Sequence, residues 1–119
     1  SILFLSTFLN CSGQSNKSIV GKWESNKRDF VSSENKYKIL KSQKTPYFEI
    51  YEFNANGKGT DFTVEGHPSS FDYRISNDTL FINKFIAIID TLTETKLVYT
   101  QLDGILKKPE LRQFFTRTK

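Results

Sequence analysis

At 119 residues the chain favours one domain. With 37% hydrophobic and 14% aromatic residues, it can build only a small core, in which rings supply much of the buried area. A net charge of +4, spread among interleaved acids and bases, and the absence of a recognition helix or an aromatic RNA-binding stripe argue against a nucleic-acid partner; the single cysteine excludes an internal disulfide.

The chain opens with the uncharged apolar run Ile2 to Leu9, too short to span a bilayer. It reads as the end of a secretory h-region. Phe8-Leu9-Asn10-Cys11 then resembles a bacterial lipobox, which would make Cys11 the lipid-attachment residue. Ordinary cleavage between Gly13 and Gln14 is the alternative. The polar stretch Ser12 to Ser18 reads as a tether. We therefore divide the chain into 1–17, a signal remnant with lipobox-like cysteine and tether, and 18–119, the folded domain. The expected location is the outer membrane or cell surface, with the membrane as a partner through the N-terminal lipid; otherwise it is the periplasm or the medium.

Strands separated by turn residues follow. Ile19 to Ser25 is the first and Tyr47 to Phe53 the second. Asn54 to Gly59 contains Asn-Gly, which supplies the positive φ of a hairpin turn. Thr60 to Glu65 is the third strand, and Gly66-His67-Pro68-Ser69 breaks the chain. Phe71, Tyr73 and Ile75 alternate with Asp72 and Arg74, the signature of a half-buried strand. Ser76-Asn77-Asp78 turns it into Thr79 to Ile82. After Asn83-Lys84 come Phe85 to Thr91, then Lys96 to Gln101, and finally Leu111 to Thr118. Short strands joined by tight turns predict an all-β, antiparallel up-and-down barrel of eight strands.

Asn26 to Pro46 departs from this rhythm. It is long, polar and basic, and is expected to be a long first loop, with Tyr37, Leu40 and Lys41 on one side of a short helix.

Gly21-Lys22-Trp23 resembles the Gly-x-Trp signature of lipocalins. The resemblance continues in Phe53-Asn54-Ala55-Asn56-Gly57, in Tyr73 to Leu80 and in Leu92 to Val98, and extends over nearly all of 18–119. It implies a lipocalin-like barrel whose tryptophan plugs the closed end beneath an arginine of the last strand. Leu111, Gln113, Phe115 and Arg117 share one face there, so Arg117 is the expected partner of Trp23 and Arg112 has the wrong parity. The resemblance also implies a first loop folded over the open end as a lid. The expected function is to hold a small hydrophobic or amphipathic molecule, an anionic one included. Tyr51, Phe53, Phe71, Tyr73, Leu80, Leu97 and Tyr99 would line the cup, and Lys36, Lys38 or Lys41 would meet a charged head group. Alternatively these lysines only solvate a surface loop.

Small barrels are also filled by their own side chains. Phe53, Phe62, Phe71, Tyr73, Tyr99 and Phe115 are all expected to point inward. A packed barrel acting as a cell-envelope structural or interaction module, with Phe48 and Phe114 on its outer face, is the alternative function.

Catalytic motifs are missing: there is no nucleophile elbow, P-loop, His-Glu-x-x-His or Cys-x-x-Cys. His67 lies alone in a Gly-His-Pro turn, a haem ligand only in the barrel of a nitrobindin-like protein. Asp72 and Asp90 could pair as acid and base, yet strand carboxylates facing outward ordinarily solvate the surface. The expectation is no enzyme, no metal and no cofactor.

Overall fold

The computed structural model describes residues 19–83, 85–104, 106 and 108–118, with backbone alone at 45–47. The leader, Cys11 and the tether fall outside the described residues. Eight strands follow one another around a closed antiparallel barrel in sequence order. They are β1 (Gly21–Val31), β2 (Ile39–Phe53), β3 (Lys58–Asp61), β4 (Ser69–Ser76), β5 (Thr79–Ile82), β6 (Phe85–Leu92), β7 (Lys96–Leu102) and β8 (Pro109–Arg117). Pairing of β1 with β8 closes the ring; β3 pairs with β2 only at 51–53, so among the described residues the earlier part of β2 has β1 as its one strand neighbour. The lipocalin-like up-and-down topology expected from the sequence is the one observed.

Tight turns fix the order. After Phe53 the amide of Asn54 donates to the Lys58 carbonyl at 2.8 Å, and Gly57 takes φ 83°. Ser76 pairs with Thr79, leaving a two-residue turn in which Asn77 takes φ 57°, a conformation asparagine tolerates.

The segment 26–46 is mostly strand, which corrects the expectation of a loop with a helix. β1 runs on to Val31 and β2 begins at Ile39, leaving only 32–38 as the connection. One extra residue explains why the pattern was hard to read. Ser25 pairs with Phe115 but Lys27 pairs with Phe114, so Asn26 is a bulge and the alternation inverts beyond it. On β2, Glu49 pairs with Ser25 and Lys44 with Lys27, so the ladder skips 45–48. Paired residues share a face, so beyond the bulge Arg28 and Phe30 lie on the face of Gln113 and Leu111, while Asp29 lies on that of Arg112.

At one end of the barrel Trp23 forms the floor. It is fully buried, and its Nε1 donates to the Ile19 carbonyl at 2.8 Å. The Arg117 guanidinium lies 4.2 Å from the indole centre, as expected. Arg117 also ties down the chain ends: Nη1 donates to Val20 and Nε to Glu94, each at 2.6 Å. The glycine of the Gly-x-Trp motif makes room for this. Gly21 has φ 133°, and a Cβ there would sit 2.3 Å from Arg117 Nη1.

The third strand ends earlier than predicted, at Asp61. Asp61 Oδ1 accepts from the Thr63 amide at 2.8 Å and turns the chain. Asp61 is consequently the buried residue, and Phe62, expected inside, is half-buried with the Lys22 ammonium 4.7 Å from its ring.

Candidate functional site: the barrel interior

The inward faces of the strands form one core of Trp23, Tyr51, Phe53, Phe71, Tyr73, Leu80, Ile82, Ala87, Leu97, Tyr99 and Phe115, with Ile19 beneath. All seven residues expected to line a cup from the strands are buried in it. They also fill much of it. Tyr51, Phe53, Phe71 and Tyr73 pack edge to face, with centroids between 4.9 and 6.4 Å, and Phe115 bridges Tyr51 to Tyr99. Gly59 admits Phe71, whose ring would be 2.4 Å from a Cβ at that position. The floor half of the barrel is thus close-packed by aromatic pairs.

Above this layer the interior turns polar. Fully buried Ser25 donates from Oγ to Gln113 Oε1 at 2.8 Å, and buried Gln113 donates from Nε2 to Glu49 Oε1 at 2.5 Å. Glu49 also accepts from the Tyr51 hydroxyl. Burial raises the Tyr51 phenol well above its ordinary pKa, and the nearby Glu49 and Asp61 carboxylates add to the shift. Burial also holds the Tyr99 phenol well above its usual value, with Tyr51 and Glu49 contributing. Tyr51 is its neighbour, but the Tyr99 hydroxyl has no protein partner of hydrogen-bonding geometry, although the residue is wholly buried. A buried hydroxyl left in this state costs about 1–3 kcal/mol.

Sequence reading missed Glu49, Ser25, Asp61 and Gln113 as functional candidates. The signal was present for three of them. Glu49 alternates with Tyr51 and Phe53, Ser25 with Trp23, and Gln113 with Phe115, which puts all three on the inner face. Asp61 depended on where β3 ends.

The basic residues expected to form a lid do not gather over this interior. The Lys36 ammonium lies 3.8 Å from Asp90 Oδ1. Lys38 and Lys41 are exposed on the β1–β2 hairpin, as are Tyr37 and Leu40, the residues expected to share a helix face. The connection is held against the barrel's outer wall instead. Ser42, Asp29, Arg112 and Thr100 stand directly opposite one another across β2, β1, β8 and β7. Ser42 donates to Asp29 at 2.5 Å, Thr100 donates to Asp90 at 2.5 Å, and Arg112 Nε is 3.7 Å from Asp90. Arg112 Nη2 then donates to the Lys36 carbonyl at 2.7 Å. Asp29 and Thr100 are each only 1% exposed. Asp90 reaches this row because it is itself a bulge, between Ile89 and Thr91.

The remaining candidates lie apart from the interior. His67 is exposed, and among the described residues no cluster of three His, Cys, Asp or Glu side chains stands close enough to hold a metal. Asp72 pairs with Lys58 at 2.6 Å on the surface, so Asp72 and Asp90 serve separate partners. Phe48 and Phe114, expected on an outer patch, are half-buried beneath cations, with Arg28 4.1 Å and Lys27 4.6 Å from the ring centres. A cleft of about 230 Å³ opens on the wall between β4 and β5, lined by Tyr73, Arg74, Phe81 and Ile82 among others. Among the described residues no helix is long and apolar enough to cross a membrane. No protein-family model matches the chain, and no curated protein shows significant similarity to it.

Proposed function

We propose that the protein is an exported, lipocalin-like binding protein that holds one small amphipathic molecule in the upper half of its barrel. The observation that supports this reading is the Tyr99 hydroxyl, wholly buried and outside hydrogen-bonding geometry to its polar neighbour, the Tyr51 hydroxyl, beside a polar group of Tyr51, Glu49 and Gln113. A ligand with an apolar body and a polar end suits such a setting: the body packs on the rings, and the polar end exchanges hydrogen bonds with Tyr99 and Glu49. The carboxylates of Glu49 and Asp61 disfavour the anionic head group expected from the lysines, because like charges repel strongly where water is scarce. A neutral or cationic polar end fits better. Export rests on the apolar leader, and lipidation on Cys11.

Denaturing extraction of the chain purified from its native host, followed by mass spectrometry, tests the reading. One small molecule should co-purify stoichiometrically with the native chain and at a much lower level with Tyr99→Phe. Equal recovery from both, or none from either, would sink it. The close-packed floor favours the second reading, a solid barrel acting as a cell-envelope module, which expects no co-purified molecule. Metabolic labelling with a fatty acid should mark the protein and not Cys11→Ser; labelling of neither would leave simple secretion as the route.

A further inference from the structure

The two ends of the barrel differ in chemistry. The floor end carries the Trp23 seal and the connections 54–57, 77–78 and 93–95, whose only charged residues are Asp78 and Glu94. The opposite end, the mouth, carries the connections 32–38, 62–68, 83–84 and 103–108. The exposed large apolar side chains among the described residues all cluster there: Tyr37 at 81%, Leu106 at 64%, Leu40 at 62%, Val64 at 59% and Ile39 at 52%. They come from three separate connections or the strand start beside one, so no single stretch of apolar sequence accounts for them. Basic charge is concentrated with them. The hairpin end 32–44 carries Lys36, Lys38, Lys41 and Lys44 against Glu34 alone, and exposed Lys108 lies beside Leu106.

Apolar tips with exposed ammonium groups on the connections of Tyr37 and Leu106 match the surface of an anionic bilayer. The tips enter the acyl boundary, and the lysines meet lipid phosphates. The Arg112 and Asp90 contacts to Lys36 brace the connection 32–38 against the outer wall, which fixes the side from which Tyr37, Ile39 and Leu40 are presented. We propose that the protein docks mouth-down on a membrane surface rich in anionic phospholipid, through Tyr37, Ile39, Leu40, Val64 and Leu106 with Lys38, Lys41 and Lys108. Charge complementarity selects this occupant over a second copy of the chain, whose mouth would present the same positive charge. The docking surface stands whether or not the interior holds a ligand.

Co-sedimentation of the full chain carrying Cys11→Ser, which removes any lipid anchor, tests the proposal. Vesicles of phosphatidylcholine alone are compared with vesicles containing one quarter phosphatidylglycerol. The expected result is binding to the anionic vesicles that weakens with salt and is at least about tenfold weaker on neutral ones. Adding either I39S/L40S or K38E/K41E/K108E should lower it by about tenfold or more, while the floor-end substitution K96E leaves it unchanged. These positions are exposed, and circular dichroism verifies that each variant is folded. Equal binding to both vesicles, equal binding by the mouth variants, or an equal loss with K96E would overturn the proposal. So would concentration-dependent self-association abolished by I39S/L40S, which would make the patch a contact between copies.

Discussion

Gly21 and Arg117 depend on each other. The glycine's positive φ and missing Cβ leave the space in which the guanidinium covers Trp23. Gly21→Ala should therefore displace Arg117 and strain the backbone, lowering stability by about 1–3 kcal/mol. Arg117→Ala removes the stacking contact and two hydrogen bonds to carbonyls, and should lower it by about 2–4 kcal/mol. Because both changes remove the same contact, the double variant should lose less than the sum, read by denaturant unfolding of the tryptophan signal. The buried tyrosines set a pH limit. Tyr51 and Tyr99 ionise in the unfolded chain near 10 but are held neutral in the fold by burial first, then by Glu49 at Tyr51 and by Tyr51 itself at Tyr99. Above that pH the unfolded state binds fewer protons than the native one, so stability is intact below about 10 and falls as pH rises further. The melting temperature of Tyr51→Phe should fall less steeply above pH 10 than that of the wild type. At neutral pH, Tyr99→Phe should stabilise the ligand-free barrel by about 1 kcal/mol, since it deletes an unsatisfied hydroxyl.

At the scale of elements, the two bulges decide what the β1–β2 hairpin does. Asn26 inverts the inward face of β1, sending Asp29 to the outer wall, and Asp90 bulges from β6 within reach of Arg112. Arg112 joins the two through Thr100 and the Lys36 carbonyl. Arg112→Leu should cost about 1–3 kcal/mol, because it removes the cation closest to the half-buried Asp90 carboxylate. Its selective signature should be faster hydrogen exchange in 27–44, with β4 and β5, which pair with neither β1 nor β2, still protected. The basic run itself told little about this. Lysines in sequence look alike whether they cap a cup, brace a hairpin or face solvent, and only the pairing partner separates the cases. Strand alternation, by contrast, was readable wherever no residue was inserted, as in Phe71-Asp72-Tyr73-Arg74-Ile75 and Leu111 to Arg117.

For the molecule as a whole, closure creates two unlike ends: a floor sealed by Trp23 and Arg117 and a mouth with exposed apolar and basic side chains. The sequence alone determined the all-β class, most of the strands and their order, because alternation of period two and tight turns are local properties of the chain. The resemblance to lipocalins pointed to Trp23 beneath an arginine of the last strand, and strand parity selected Arg117 over Arg112. Tertiary structure decided the rest. The inner polar group draws Ser25, Glu49, Asp61 and Gln113 from four strands, and their proximity depends on register around the closed barrel. One inserted residue at Asn26 inverted the alternation across a stretch that reads as loop, turning Asp29 to the outer wall and Arg28 to the face of Gln113. Whether a polar side chain faces ligand, solvent or another strand is a long-range property, set by which residues the closed sheet brings opposite one another.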